Sequence, residues 1–157
     1  MASTPFDEFV ALSAVVTGYS RFRLLGTGQA QLYFSTLTDV VGEATVTELI
    51  QAFARVRTAA GADEAAMEAR LRADILSDEK LGPIARNVIK LWFVGTWYQL
   101  PSEWRDAFGT HPKDVTFVAA PAAYTEGLLW PTIDANPSGA KGPGYGTWAS
   151  PPRIDLT

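Results

Sequence analysis

Proline is spread so unevenly along this chain that its placement decides the architecture. Of ten prolines, only Pro5 precedes Gly82, and the other nine fall from Pro83 onward. A proline inside a helix removes a backbone donor and clashes with the preceding turn. The first half is therefore free to form long helices, and the second half is not. Up to about Trp97 the chain reads as helical, and beyond it as irregular structure with one short helix. The fold class is all-α: a compact domain of about five helices with an irregular C-terminal half rich in proline, glycine and aromatics. A chain of 157 residues makes a single domain over 1–157 the natural expectation, with a helical core over about 4–97 and an irregular region over about 98–157.

Local signals place the helices. Thr4-Pro5-Phe6-Asp7 is a helix opening, with a hydroxyl cap, a first-turn proline and an acid near the positive dipole end. Phe9, Val10, Ser13 and Val16 follow at helical spacing, and Gly18 is the stop. A second helix is expected from near Thr27 to about Val41, with Tyr33, Phe34, Leu37 and Val40 on its apolar stripe and Gly42 at its end. Thr45 and Glu48 have capping-box spacing and open a third helix running to Gly61. Asp63 to Leu76 reads as a surface helix with Met67, Leu71 and Ile75 on a narrow buried stripe. A fifth begins around Gly82-Pro83. Its Ile84, Val88, Ile89, Leu91 and Trp92 point nearly all round, which makes it central. Farther on, Val115 to Val118 is a brief β-prone run, and Tyr124 to Trp130 has the length of two helical turns before Pro131 stops them.

The inventory of reactive groups is short. There is no cysteine, which removes thiol nucleophiles, thiolate metal sites and disulfides. His111 is the one histidine, so no two-histidine metal site can form. Thirteen basic against seventeen acidic residues leave a net charge of −4, unsuited to gripping a phosphate backbone. No apolar run reaches the roughly 18 residues of a membrane span. The opening Met1-Ala2-Ser3-Thr4-Pro5 lacks the basic and apolar regions of a signal peptide.

Candidate motifs mostly favour ordinary roles. Gly26-Thr27-Gly28-Gln29-Ala30-Gln31 begins like a dinucleotide loop, but Gln31 holds the third glycine position and Arg21 to Leu25 is a poor strand, so a loop before a helix is the better reading. His111 sits in a turn-rich polar segment, where a solvated loop residue is favoured over a general base. The spacing of Ser13, Ser102 and the acids selects no triad. Asp63, Glu64, Glu68, Asp74, Asp78 and Glu79 interleave with Arg70, Arg72 and Lys80, the pattern of a solvated helical face. The aromatics are more informative. Trp92 is expected in the core, whereas Tyr145 and Trp148, set among glycines and prolines, have the character of interface anchors.

Four segments together carry a family resemblance. Phe9 to Gly18 resembles the F-x-x-L-S-x-x-x-T-G opening of the small (gamma) subunits of membrane-bound, FAD-dependent sugar and polyol dehydrogenases, the family of sorbitol, fructose and glucose dehydrogenase small subunits. Leu91-Trp92-Phe93-Val94-Gly95 is similar to its A-W-Y-x-G, and Tyr124 to Trp130 to its Y-E-x-A-L-M-W/Y/F. Pro143 to Ala149 with Pro151-Pro152 resembles its closing P-G-Y-W-A-x-x-P. The match runs in order from Phe9 to Pro152. It departs where Gly146 and Thr147 separate the closing tyrosine and tryptophan, where Gly127 replaces alanine and Leu129 methionine, and where about 100–117 reads as an insertion. The cysteine that many members carry before the closing motif is absent from Asn136-Pro137-Ser138-Gly139-Ala140.

The resemblance implies a non-catalytic subunit with no cofactor of its own. FAD and an iron–sulfur cluster would belong to a large subunit, and haem c to a third, cytochrome subunit. The small subunit would act as a folding and export chaperone, carrying the large subunit to the periplasm through a twin-arginine leader that this chain does not show. Trp130, Pro143, Tyr145, Trp148, Pro151 and Pro152 are the expected partner-interface residues, and Tyr124 is expected to be structural. The competing expectation is a stand-alone helical carbohydrate-active enzyme using carboxylates such as Glu126 or Asp134 in an aromatic pocket. A third is a helical binding module with no dehydrogenase partner.

Overall fold

The chain's helical half opens as its capping residues dictate. In the computed structural model, which describes residues 3–135, α1 spans Pro5–Thr17. The Thr4 hydroxyl accepts from the Asp7 amide at 3.1 Å, and the Asp7 carboxylate accepts from the Thr4 amide at 3.1 Å. This reciprocal box, the Thr4 hydroxyl foremost, holds the Asp7 carboxyl below its ordinary value. α1 ends at Gly18, as expected.

The next stretch corrects the sequence reading. Arg21–Gly26 forms a helix, α2, where a loop was expected. The Ser20 hydroxyl accepts from the Arg23 amide and starts it. Only Leu24 is buried, and Phe22 remains 87% exposed, so the segment has no apolar period to betray it. α3 spans Ala30–Val41, a little later than the expected start near Thr27. α4 runs Glu43–Ala60, and Thr45 is an interior residue instead of a cap. Gly42, with φ 83°, turns the chain directly from α3 into α4. α5 is Glu64–Leu71, capped by the Asp63 carboxylate on the Ala66 amide. It continues into a π-helical turn, Arg72–Leu76, where a single helix was expected. α6 spans Leu81–Val94, opened by the Asp78 carboxylate accepting from the Leu81 amide at 2.7 Å.

The second half holds more structure than its prolines imply. β1, Thr96–Trp97, pairs antiparallel with β2, Phe117–Val118, which the β-prone run anticipated. Between them lies α7, Ser102–Phe108, where irregular structure was expected. α8 spans Pro121–Thr125 and α9 spans Leu129–Thr132. The expected two-turn helix over 124–130 is thus broken. Pro131 lies inside α9, in the first turn, where its missing donor costs nothing.

The all-α expectation holds, and its centre is Trp92 on α6. The Trp92 ring stacks on Phe9 of α1 (centroids 6.5 Å apart) and meets Tyr33 of α3 edge-on at 4.9 Å. Leu12, Leu37, Leu49, Phe53 and Ile84 are sealed around it. α4 is tied to α1 by Arg57, whose Nη2 donates to Glu8 Oε1 at 3.0 Å while Nη1 stands 3.0 Å from Oε2. The second contact is too bent for a hydrogen bond and acts through charge alone. Glu8 occupies the first turn of α1 and Arg57 the last of α4, so each charge also faces the favourable dipole end of its own helix.

The segment about 100–117, expected as an insertion, is fastened to this core. Trp104 is buried and its indole N–H donates to the Lys80 carbonyl at 2.8 Å. Asp114 is 2% exposed, and its carboxylate accepts from the Trp97 indole N–H at 2.9 Å and the Leu100 amide at 3.0 Å. Asn87, also buried, exchanges hydrogen bonds with the Tyr98 backbone.

Asp114→Ala would leave two buried donors unpaired, so a loss of about 2–4 kcal/mol is expected in urea denaturation. Asp114→Asn, which keeps an acceptor, should lose clearly less; equal losses would contradict the clamp. A second expectation concerns acid. The hydrogen bond from Arg57 lowers the Glu8 pKa from its ordinary 4.5, against an opposing push from burial. The folded value lies below the unfolded one, so the stabilisation is complete above the unfolded pKa and is lost as pH falls through the folded pKa. Glu8→Gln should therefore flatten the fall in stability below about pH 4.5. An unchanged slope in denaturation midpoints between mildly and strongly acidic buffers would refute this.

Candidate functional site

Three of the four segments that carry the resemblance lie far apart in sequence and meet at one end of α6. The first, 9–18, supplies Phe9 against Trp92 and leads into Tyr19, whose ring meets Phe93 edge-on at 6.3 Å. The second, 91–95, supplies Trp92, Phe93 and Gly95. The third, 124–130, is hung from the second, because the Leu128 amide donates to the Trp92 carbonyl at 2.9 Å. The Tyr19 hydroxyl is 2.8 Å from that of Thr132, closing the ring of contacts.

Two glycines permit this approach. A β-carbon on Gly95, whose φ is 66°, would stand 2.6 Å from the Ala123 carbonyl carbon. One on Gly127 would stand 2.6 Å from the Phe93 carbonyl oxygen. The close backbone crossing gives the reason for glycine at position 127.

The surface over this junction is aromatic and aliphatic. Tyr124 and Trp130 form an edge-on pair with centroids 5.7 Å apart, and the Trp130 indole N–H donates to the Tyr124 carbonyl at 3.0 Å. Trp130, expected at the interface, is half-buried. Tyr124, expected to be structural, supports Trp130 yet is itself 51% exposed. Leu129 and Ile133 beside them are 39% and 59% exposed. The sequence reading overlooked these two, although their place within two or three residues of Trp130 and Pro131 was the available signal. The chain leaves the junction at Ala135, whose amide donates to the Trp130 carbonyl at 2.9 Å. Pro143, Tyr145, Trp148, Pro151 and Pro152 lie outside the described residues.

The groups that could do chemistry are dispersed. His111 is half-buried with its ring 6.0 Å from that of Trp104. Ser102 donates to neighbouring Glu103, and Ser13 is fully buried in α1. Glu126 is half-buried just past α8, and Asp134 is exposed with φ 58°. Burial, with a smaller push from the Glu126 charge, raises the Tyr33 phenol far above its ordinary value, so it stays neutral and cannot act as a base near neutral pH. Gly26 is the last residue of helix α2 and Gly28 follows it, with no strand before them, which removes the frame a dinucleotide loop requires. Among the described residues, no three His, Asp or Glu side chains gather as metal ligands, and no helix is long and apolar enough to cross a membrane.

Gly127→Ala is expected to part the 124–130 segment from α6, costing about 1–3 kcal/mol through overpacking. The check is denaturation together with Trp fluorescence, and wild-type stability would refute the crossing. No protein-family profile matches the chain, and neither the curated proteins nor the solved structures yield a match.

Proposed function

We propose that this chain is the non-catalytic small subunit of a periplasmic, FAD-dependent sugar or polyol dehydrogenase complex. It acts as folding and export chaperone for the flavin-containing large subunit and then stabilises it. The observation that carries this reading is the convergence of 9–18, 91–95 and 124–130 on one junction. The segments that carry the resemblance thus pack as one structural unit, which supports reading them together. The exposed Tyr124, Leu129 and Ile133 beside Trp130 give that unit an outward apolar face, of the kind that anchors an obligate partner. Binding the native large subunit would lower its unfolded population by mass action. The flavin, the iron–sulfur cluster and the haem c belong to the other subunits under this reading, and the oxidation chemistry is theirs.

Co-expression with a flavin-dependent dehydrogenase large subunit from the same genome, scored by soluble yield and flavin content, tests the proposal. Both quantities should fall severalfold when this chain is omitted. Trp130→Ala and Trp148→Ala should each weaken co-purification about tenfold or more, the loss typical of a truncated anchor, while far-ultraviolet circular dichroism stays unchanged. Flavoprotein yield indifferent to this chain, or turnover of a sugar by this chain alone, would overturn it.

A further inference from the structure

A second apolar surface lies where the C-terminal part of α1 faces α5, the π-helical turn and α6. It is an open groove of about 1120 Å³, with Val15, Val16, Met67, Leu76 and Ile89 along its walls and floor. One end of its rim is acidic, with Asp63 and Glu64 at the start of α5, while one turn on Glu68 pairs with Arg72 at 2.7 Å and the two charges offset each other. The other end carries Arg86. Arg86 is fixed there, because its Nη2 donates to the Leu76 carbonyl at 2.7 Å. Val15, an exposed valine on α1, points its apolar surface into this space.

We infer that the groove seats an amphipathic helix of the partner subunit, laid with its N-terminus toward Asp63 and Glu64 and its C-terminus toward Arg86. The groove is of helical scale: a helix about 10 Å across with a 5.4 Å pitch occupies roughly 420 Å³ per turn, against about 1120 Å³ here. Charge agrees as well. A helix carries about half a positive charge at its N-terminus and half a negative charge at its C-terminus, matching the acidic and basic ends of the rim. An apolar stripe at i, i+3, i+4 and i+7 is what such a groove reads. Gly18 belongs to the groove wall and its neighbour Tyr19 to the aromatic junction, so the two surfaces adjoin along the chain. The inference rests on the proposed subunit role for the identity of the chain that supplies the helix, but the groove can be tested without that chain.

The probe is a hydrocarbon-stapled helical peptide of about three turns, with a leucine and alanine stripe, lysines in its first turn and glutamates in its last. A charge-reversed twin serves as control. With the full chain labelled for NMR, the peptide should shift resonances of Val15, Val16, Met67 and Ile89 and leave Tyr124 and Trp130 unmoved. The twin should bind at least fivefold more weakly. Val15→Glu should abolish binding. Glu64→Lys, a surface change that leaves the core untouched, should narrow the gap between the two peptides. Absence of binding, shifts centred on Tyr124 and Trp130, or equal affinity for both peptides would overturn the inference. So would contacts in the free protein showing the groove already filled by residues 136–157 or by a second copy. Peptide binding in the groove with no flavoprotein association would instead retain the groove and refute the subunit reading.

Discussion

Trp92 is the residue on which the rest of the molecule depends, because its side chain and its backbone hold different parts of the chain. The indole fills the space between Phe9 and Tyr33 and so joins α1, α3 and α6 across their common centre. Its carbonyl, near the end of α6, would be an orphan acceptor of a terminating helix, and it takes the Leu128 amide instead. Core packing and the attachment of the C-terminal segments are therefore not independent. A displacement of α6 along its axis would disturb both at once.

The same economy appears one step later in the chain. Gly95 ends α6, accepts the Ala119 amide on its carbonyl and admits the Ala123 backbone against its bare α-carbon. From there the chain runs through a two-residue ladder to Asp114, which satisfies the Trp97 and Leu100 donors. The proline-rich half is too poor in aliphatic residues to enclose itself. It is ordered by lending single large side chains, Trp97 and Trp104, to a core built by the first half.

How much of this was legible follows from how local each signal is. Thr4 and Pro5 at one end of α1 and Gly18 at the other act within a few residues, and the structure follows them. Trp92 was legible because α6 is apolar on nearly every side. α2 was not, because it buries only Leu24 and owes its existence to Ser20 and to packing on α1. Thr45 and Glu48 have the spacing of a cap, yet Gly42 turns the chain so sharply that the helix has already begun. Asp114 and Asn87 look like ordinary polar residues until the fold brings buried donors to them. At the candidate site, Trp130 was found by its chemistry. Leu129 and Ile133 were overlooked because exposure is a property of the packed junction, not of the residue type.

The π-helical turn at Arg72–Leu76 has a consequence for how this surface can change. The hydrogen bond that the Ser77 amide donates to the Arg72 carbonyl spans five residues, the geometry a helix adopts when it absorbs one residue too many. Each residue of an α-helix turns the chain by about 100°. Loss of a single codon here would rewind the turn into plain α-helix while leaving Met67 and Ile75 on the same face. The outline of that cleft can thus survive the smallest deletion inheritance can make, because the turn already holds the residue that would be lost.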